Sequence, residues 1–135
     1  MTSRIPEIFS DNNSNKKKTF ISYLVCGDPS TKHTISAMHT MANSGVDIIE
    51  LGIPFTDPIA DGPIIQKSID RSLKNNTSLK DVILLVKEFR RSNSNTAIVL
   101  MGYMNPIHKM GINKFVKLIS NADIDGVLVV DSPPE

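Results

Sequence analysis

Four short apolar runs organise the chain: Phe20 to Val25, Asp47 to Ile53, Ala97 to Tyr103 and Gly126 to Val130. Each has the length of a strand and is rich in Ile, Val or Leu. None alternates cleanly between polar and apolar positions, which is how strands covered on both faces read. Between them the spacing becomes helical. From Thr31 to Ser44, Ile35, Met38, Met41 and Ala42 share one face, and Gly45 is a natural stop. From Ser78 to Arg91, Val82, Leu85, Val86 and Phe89 recur at i, i+3, i+4 and i+7. Ser78 with Asp81 predicts an N-terminal cap, and Arg90 and Arg91 suit the negative C-terminal end. Phe115, Leu118, Ile119 and Ala122 give a third stripe. A shorter helix is expected from Ile64 to Leu73, and a helical turn or two around Ile5, Ile8 and Phe9. Gly102-Tyr-Met-Asn-Pro106 reads as a strand end and a turn, with Asn105 restrained by the proline after it.

Strand and helix therefore alternate along the chain, the order of a parallel α/β protein. No linker divides it, so residues 1–135 are expected to form part or all of one domain. On pattern alone two architectures compete. One is a small open doubly wound domain; the other is the first half of a (β/α)8 TIM barrel, a fold that takes ~250 residues when complete.

Composition narrows the class of function. With 135 residues, 40% hydrophobic and 21% charged, the chain reads as a globular protein able to bury a core. A net charge of +1 gives no electrostatic case for nucleic acid. No apolar run approaches the ~20 residues that cross a bilayer, and no membrane role is expected. The N-terminus lacks the apolar segment of a signal peptide. Cys26 is the only cysteine, which leaves no intramolecular disulfide and fits a reduced, cytoplasmic setting. Lys16-Lys17-Lys18 reads as a solvated loop.

Glu50 is the sharpest chemical feature, a carboxylate set inside Asp47-Ile-Ile-Glu-Leu-Gly-Ile53, where every position after Asp47 is otherwise apolar. In a strand, Ile49, Leu51 and Ile53 point to one side and suit a layer of helices, whereas Glu50 points to the other. It lies near the C-terminal end of the strand, where barrel active sites are built. A carboxylate there is costly to desolvate unless paired or neutralised, which suits proton transfer but equally a structural ion pair. The loop that follows, Pro54-Phe-Thr-Asp-Pro-Ile-Ala-Asp-Gly-Pro63, is stiffened by three prolines and presents Asp57 and Asp61. Either aspartate alone reads as readily as a turn former. His33, His39 and His108 lack metal-like spacing, and no glycine-rich nucleotide-binding loop occurs.

The unbroken stretch Glu50-Leu-Gly-Ile-Pro-Phe-Thr-Asp-Pro-Ile-Ala-Asp-Gly-Pro63 resembles the signature of tryptophan synthase alpha subunits, with Thr56 where Ser is usual. Gly27-Asp28-Pro29, Met101 to Asn105, Gly111 to Phe115 and Val127 to Asp131 support it. The resemblance covers essentially the whole chain and about half of the family's length. It implies a (β/α)8 barrel, of which this chain supplies the first four βα units. It implies cleavage of indole-3-glycerol phosphate to indole and glyceraldehyde 3-phosphate; the alternative readings are another small phosphosugar barrel lyase or isomerase, and a non-catalytic fragment that only binds a beta subunit. Glu50 would shuttle protons between the glycerol hydroxyl and indole C3, and Asp61 would hold the indole N–H. Tyr23, Met101 and Leu128 would line the indole pocket. Tyr23, where the family usually has Phe, adds a hydroxyl that needs a partner.

The residue inventory agrees with that chemistry. A Schiff-base aldolase would need a buried strand lysine and a metal aldolase would need histidine ligands; this chain offers neither pattern. Protonated indole is its own electron sink, so two carboxylates suffice. The resemblance also implies an alpha2-beta2 complex with a beta subunit that carries PLP, this chain holding no cofactor. Partner contacts would fall at Pro54, Asp57 and Asn105. With phosphate-binding loops commonly placed after strands seven and eight, the 135-residue chain alone is expected to be inactive.

Overall fold

A computed structural model describes residues 3–133. The elements run α1 (Ile5–Ser14), β1 (Ile21–Val25), α2 (Thr31–Asn43), β2 (Ile48–Gly52), α3 (Pro63–Lys74), α4 (Leu79–Phe89), β3 (Ala97–Gly102), α5 (Met104–Met110), α6 (Ile112–Asn121) and β4 (Gly126–Val129). The four strands are parallel and lie in sequence order, β1-β2-β3-β4. All four apolar runs are strands, shorter by a residue or two than the runs themselves.

Strand parity places the core. Ile49, Leu51, Ile98 and Leu100 are fully buried in one cluster with Met38 of α2 and with Val82, Leu85, Val86 and Phe89 of α4. The amphipathic faces read from the sequence are the ones that pack. Ser78 caps α4 in a reciprocal box: its Oγ accepts from Asp81 N–H, and Asp81 accepts from Ser78 N–H at 2.9 Å. Gly45, at φ +90, ends the turn after α2 in a conformation that favours glycine. Among the described residues no helix is long and apolar enough to cross a membrane.

Two expectations need correction. The segment after β3 is not a plain turn but the helix α5. Pro106 is its third residue, and the first turn has no intrahelical acceptor for its N–H groups, so a proline there loses nothing. Asn105 is helical despite the proline after it. Arg90 does not spend its charge on the end of α4. It donates to Thr96 O at 2.7 Å and to Asp125 Oδ2 at 2.7 Å, and Asp125 also accepts from Arg4 Nη1 at 2.9 Å and from Ile98 N–H at 2.8 Å. This clasp fixes α1 across the N-terminal ends of β3 and β4, where Ile5 Cδ1 approaches to 3.5 Å of the Cβ position of Gly126.

Candidate functional site

The opposite face of the sheet carries the chemistry. Glu50 is at the centre of β2, with Tyr23 of β1 and Val99 of β3 beside it in register. One layer nearer the C-terminal ends, Val25, Gly52, Met101 and Leu128 stand in register across all four strands. Tyr23, Glu50 and Met101 are half-buried and Leu128 is 44% exposed, so this face is open in the chain. Glu50 has the direction that alternation along the strand required.

Gly52 shapes this surface. A Cβ there would meet Tyr23 Oη at 2.3 Å and Cζ at 2.8 Å, so the tyrosine ring lies across β2 directly above Glu50's strand neighbour. Only a residue without a side chain admits it. Burial, together with the charges of Asp61 and Glu50, pushes the Tyr23 phenol well up, which keeps it protonated and a donor.

The loop after β2 delivers Asp61 to the same region. Tyr103 Oη donates to Asp61 Oδ2 at 2.6 Å and accepts from Ala60 N–H at 3.0 Å. Tyr103 is itself 2% exposed, and its ring packs on Phe55 with centroids 5.4 Å apart. The loop is pinned further by Gln66 Nε2 donating to Asp61 O at 2.8 Å and by Asp61 N–H donating to Pro58 O at 3.1 Å. Asp57 is exposed and accepts from Thr56 Oγ1 at 2.7 Å. Pro54 is buried and Asn105 exposed on the neighbouring α5. The predicted residues thus separate into two groups. Tyr23, Glu50, Asp61, Met101 and Leu128 gather on the open sheet face, while Asp57 and Asn105 lie on the outer rim. Tyr103 was missed by sequence reasoning; its only signal was a tyrosine at a strand end, read as part of a turn.

The remaining candidates take structural roles. The thiol of Cys26 is buried and pushed up to about 12 by desolvation, which leaves it inert near neutral pH. Asp28 is paired with Arg71, two bonds of 2.7 Å, and is held below the usual carboxylate range by them. His39 stacks on Phe89 at 4.8 Å. Among the described residues no group of three or more His, Cys, Asp or Glu side chains is arranged to hold a metal ion.

Sequential strand order, helices packed on one face and polar groups at the C-terminal strand ends of the other define the first half of a (β/α)8 barrel; a doubly wound sheet would shuffle its strands and bury both faces under helices. A family profile described as tryptophan synthase alpha chain matches residues 9–135, and the chain belongs to that family. It is 51% identical over 132 residues to the tryptophan synthase alpha chain of Nitrosomonas europaea, covering 98% of this chain and 48% of the relative. Among solved structures, subunit alpha of Legionella pneumophila tryptophan synthase superposes with TM-score 0.96 at 40% identity, covering 99% of this chain and 51% of that one. The Pyrococcus furiosus tryptophan synthase complex gives TM-score 0.80 at 46% identity over 85% of this chain and 47% of that one. The chain spans about half the length of the curated relatives it matches.

Proposed function

We propose that this chain supplies the acid/base half of a barrel that cleaves indole-3-glycerol phosphate into indole and glyceraldehyde 3-phosphate. Glu50 moves one proton from the glycerol hydroxyl next to the ring to indole C3. With C3 protonated the ring nitrogen becomes an iminium, the carbon–carbon bond breaks, its electron pair neutralises the iminium, and the hydroxyl carbon leaves as the aldehyde. Asp61 accepts the indole N–H and stabilises the positive charge developing there. Tyr103 holds Asp61 in place, and Tyr23, Met101 and Leu128 form the wall that receives the ring. No step needs a cofactor in this chain. The carrying observation is the placement of two carboxylates on one open face, Glu50 from the sheet and Asp61 from a loop pinned by a 2.6 Å bond.

The same reading places the protein in the cytoplasm as the alpha partner of a PLP-carrying beta chain, in an alpha2-beta2 assembly. Asp57 and Asn105, on the rim beside Pro54, make the contact. Solved neighbours that are tryptophan synthase complexes support that assignment.

The test is to join this chain to the second half of the Nitrosomonas europaea relative and assay indole release. Turnover is expected, with a loss of at least about a hundredfold in Glu50→Gln, the scale of general acid–base catalysis, and a clear loss in Asp61→Asn. A chimera whose turnover survives both substitutions would refute the assignment.

A further inference from the structure

We propose that the Tyr23 hydroxyl determines which indole rings this site prefers. It favours a ring that carries a hydrogen-bond acceptor such as a hydroxyl group on its benzo edge over the same ring with a methyl group there. The inference deepens the reaction assigned above and rests on it.

Tyr23 and Glu50 are register partners, so both side chains start from one level of the sheet. The tyrosine leans across to β2 and reaches the next level, where its Oη and Cζ occupy the space that a Cβ on Gly52 would need. That level is otherwise apolar: Val25, Gly52, Met101 and Leu128 stand side by side in it. A phenylalanine would fill the place of the ring equally well, so packing does not account for the oxygen.

Its hydrogen bonding sets it apart from the other tyrosine of the site. Tyr103 Oη is bonded to both Asp61 and Ala60 N–H. Tyr23 Oη makes no hydrogen bond among the described residues, yet it is not sealed in the core, where the buried side-chain oxygen without a partner is Thr77 Oγ1. Solvent therefore reaches it on the open face. Burial and the charges of Asp61 and Glu50 keep the phenol protonated, so it offers a proton and needs an acceptor.

In the assigned reaction Glu50 and Asp61 take C3 and the N–H, both on the pyrrole side of the ring. The benzo edge is what remains to meet Tyr23. A ring laid on this wall takes solvent off the hydroxyl, and a stranded donor costs more than the bond it could have made is worth. A methyl group on that edge covers the hydroxyl and gives nothing in exchange. A hydroxyl of nearly the same size accepts from it and restores the bond.

The test runs the reaction of the full-length chain in the condensation direction. The aldehyde carbon of glyceraldehyde 3-phosphate joins C3 of a supplied indole, and the C3 proton passes to the new hydroxyl. Values of kcat/KM are measured for indoles substituted with a hydroxyl or a methyl group at each of the four benzo positions. At one position or more the hydroxyl-to-methyl ratio is expected to fall about tenfold in Tyr23→Phe, the scale of stranding one donor. The change should lie chiefly in KM, because the contact is made equally before and during the reaction. Electronic effects of the substituents are common to both proteins and cancel in the comparison. Tyr23→Leu, likewise without the hydroxyl, is expected to lower the same ratio and decides the question if Tyr23→Phe fails to fold. A ratio unchanged at all four positions overturns the inference and leaves the reaction standing, the hydroxyl then being bonded within the completed barrel. Failure of the unaltered chain to condense unsubstituted indole overturns both.

Discussion

Tyr103 Oη lies 2.6 Å from Asp61 Oδ2, and the same hydroxyl accepts from Ala60 N–H at 3.0 Å. One buried phenol at the end of β3 thus fixes both the backbone and the carboxylate of a loop that begins on β2. Burial and the bond to Asp61 both push the Tyr103 phenol up, so it remains a donor.

Tyr103→Phe should therefore separate positioning from folding. The ring keeps its packing on Phe55, while Asp61 loses a hydrogen bond to a charged acceptor, typically worth about 1.5–3 kcal/mol. In the completed barrel kcat is expected to fall by roughly tenfold to a hundredfold, by the same conversion of energy to rate. KM should move less, because the charge that Asp61 faces develops only in the transition state. An unchanged kcat, or a fall in melting temperature large enough to explain the loss, would remove Tyr103 from the site.

Gly52 and Tyr23 form a second linked pair. Alanine at position 52 would place its Cβ 2.3 Å from Tyr23 Oη and 2.8 Å from Cζ, too close to coexist. The ring must swing away from the surface above Glu50. Gly52→Ala is expected to cost about 1–3 kcal/mol, the usual range for overpacking, and to raise KM. In a Tyr23→Ala background the added penalty of Gly52→Ala should largely vanish, since the clash has gone. Additive losses in the double mutant would show that the glycine matters for another reason.

How much of this was legible beforehand follows from the range of the interactions. Periodicity is local, so the strands, the core faces of α2, α4 and α6, and the inward direction of Glu50 could all be read from neighbouring residues. The helix α5 could not, because Pro106 argues against a helix unless it is known to fall in a first turn. Nor could Tyr103, whose partner Asp61 is 42 residues away. The clasp of Arg4 with Asp125 spans 121 residues, and alternation gives no hint of such a pairing. Arg90 was assigned to its own helix end for the same reason.

That clasp predicts how stability depends on pH. The bond from Arg4 holds the Asp123 carboxyl below the usual carboxylate range, and Asp28 is held low by Arg71. A carboxylate whose folded pKa is depressed contributes stability that is fully present above its unfolded value, near 4, and is lost as pH falls through the folded one. Urea midpoints should therefore be flat near neutrality and drop as pH falls below about 5. Arg4→Met should lower stability at pH 7 by up to about 3 kcal/mol, since it strips one cation from the nearly inaccessible Asp125 while Arg90 remains. It should also flatten the acid limb, because Asp123 then loses the first cause of its shift. A variant with the full acid slope would place the pH dependence elsewhere.

Among the described residues β1 pairs only with β2, and β4 only with β3, so each carries a free edge. Phe20 and Ile21 at the first edge are 57% and 47% exposed, and Val127 and Leu128 at the last are 37% and 44% exposed. Unpaired backbone beside apolar side chains is a template for another strand, and the open face around Glu50 adds surface that a closed barrel would cover. The 135-residue chain expressed by itself should therefore self-associate through its edges and show no indole release. Sedimentation velocity across a concentration series tests the first expectation. Adding the second half of a relative in trans should suppress the association and restore turnover together, because both follow from pairing the same two edges. A monodisperse monomer with a cooperative melt would mean that the half-sheet manages its edges unaided, and that the open face is not what drives association.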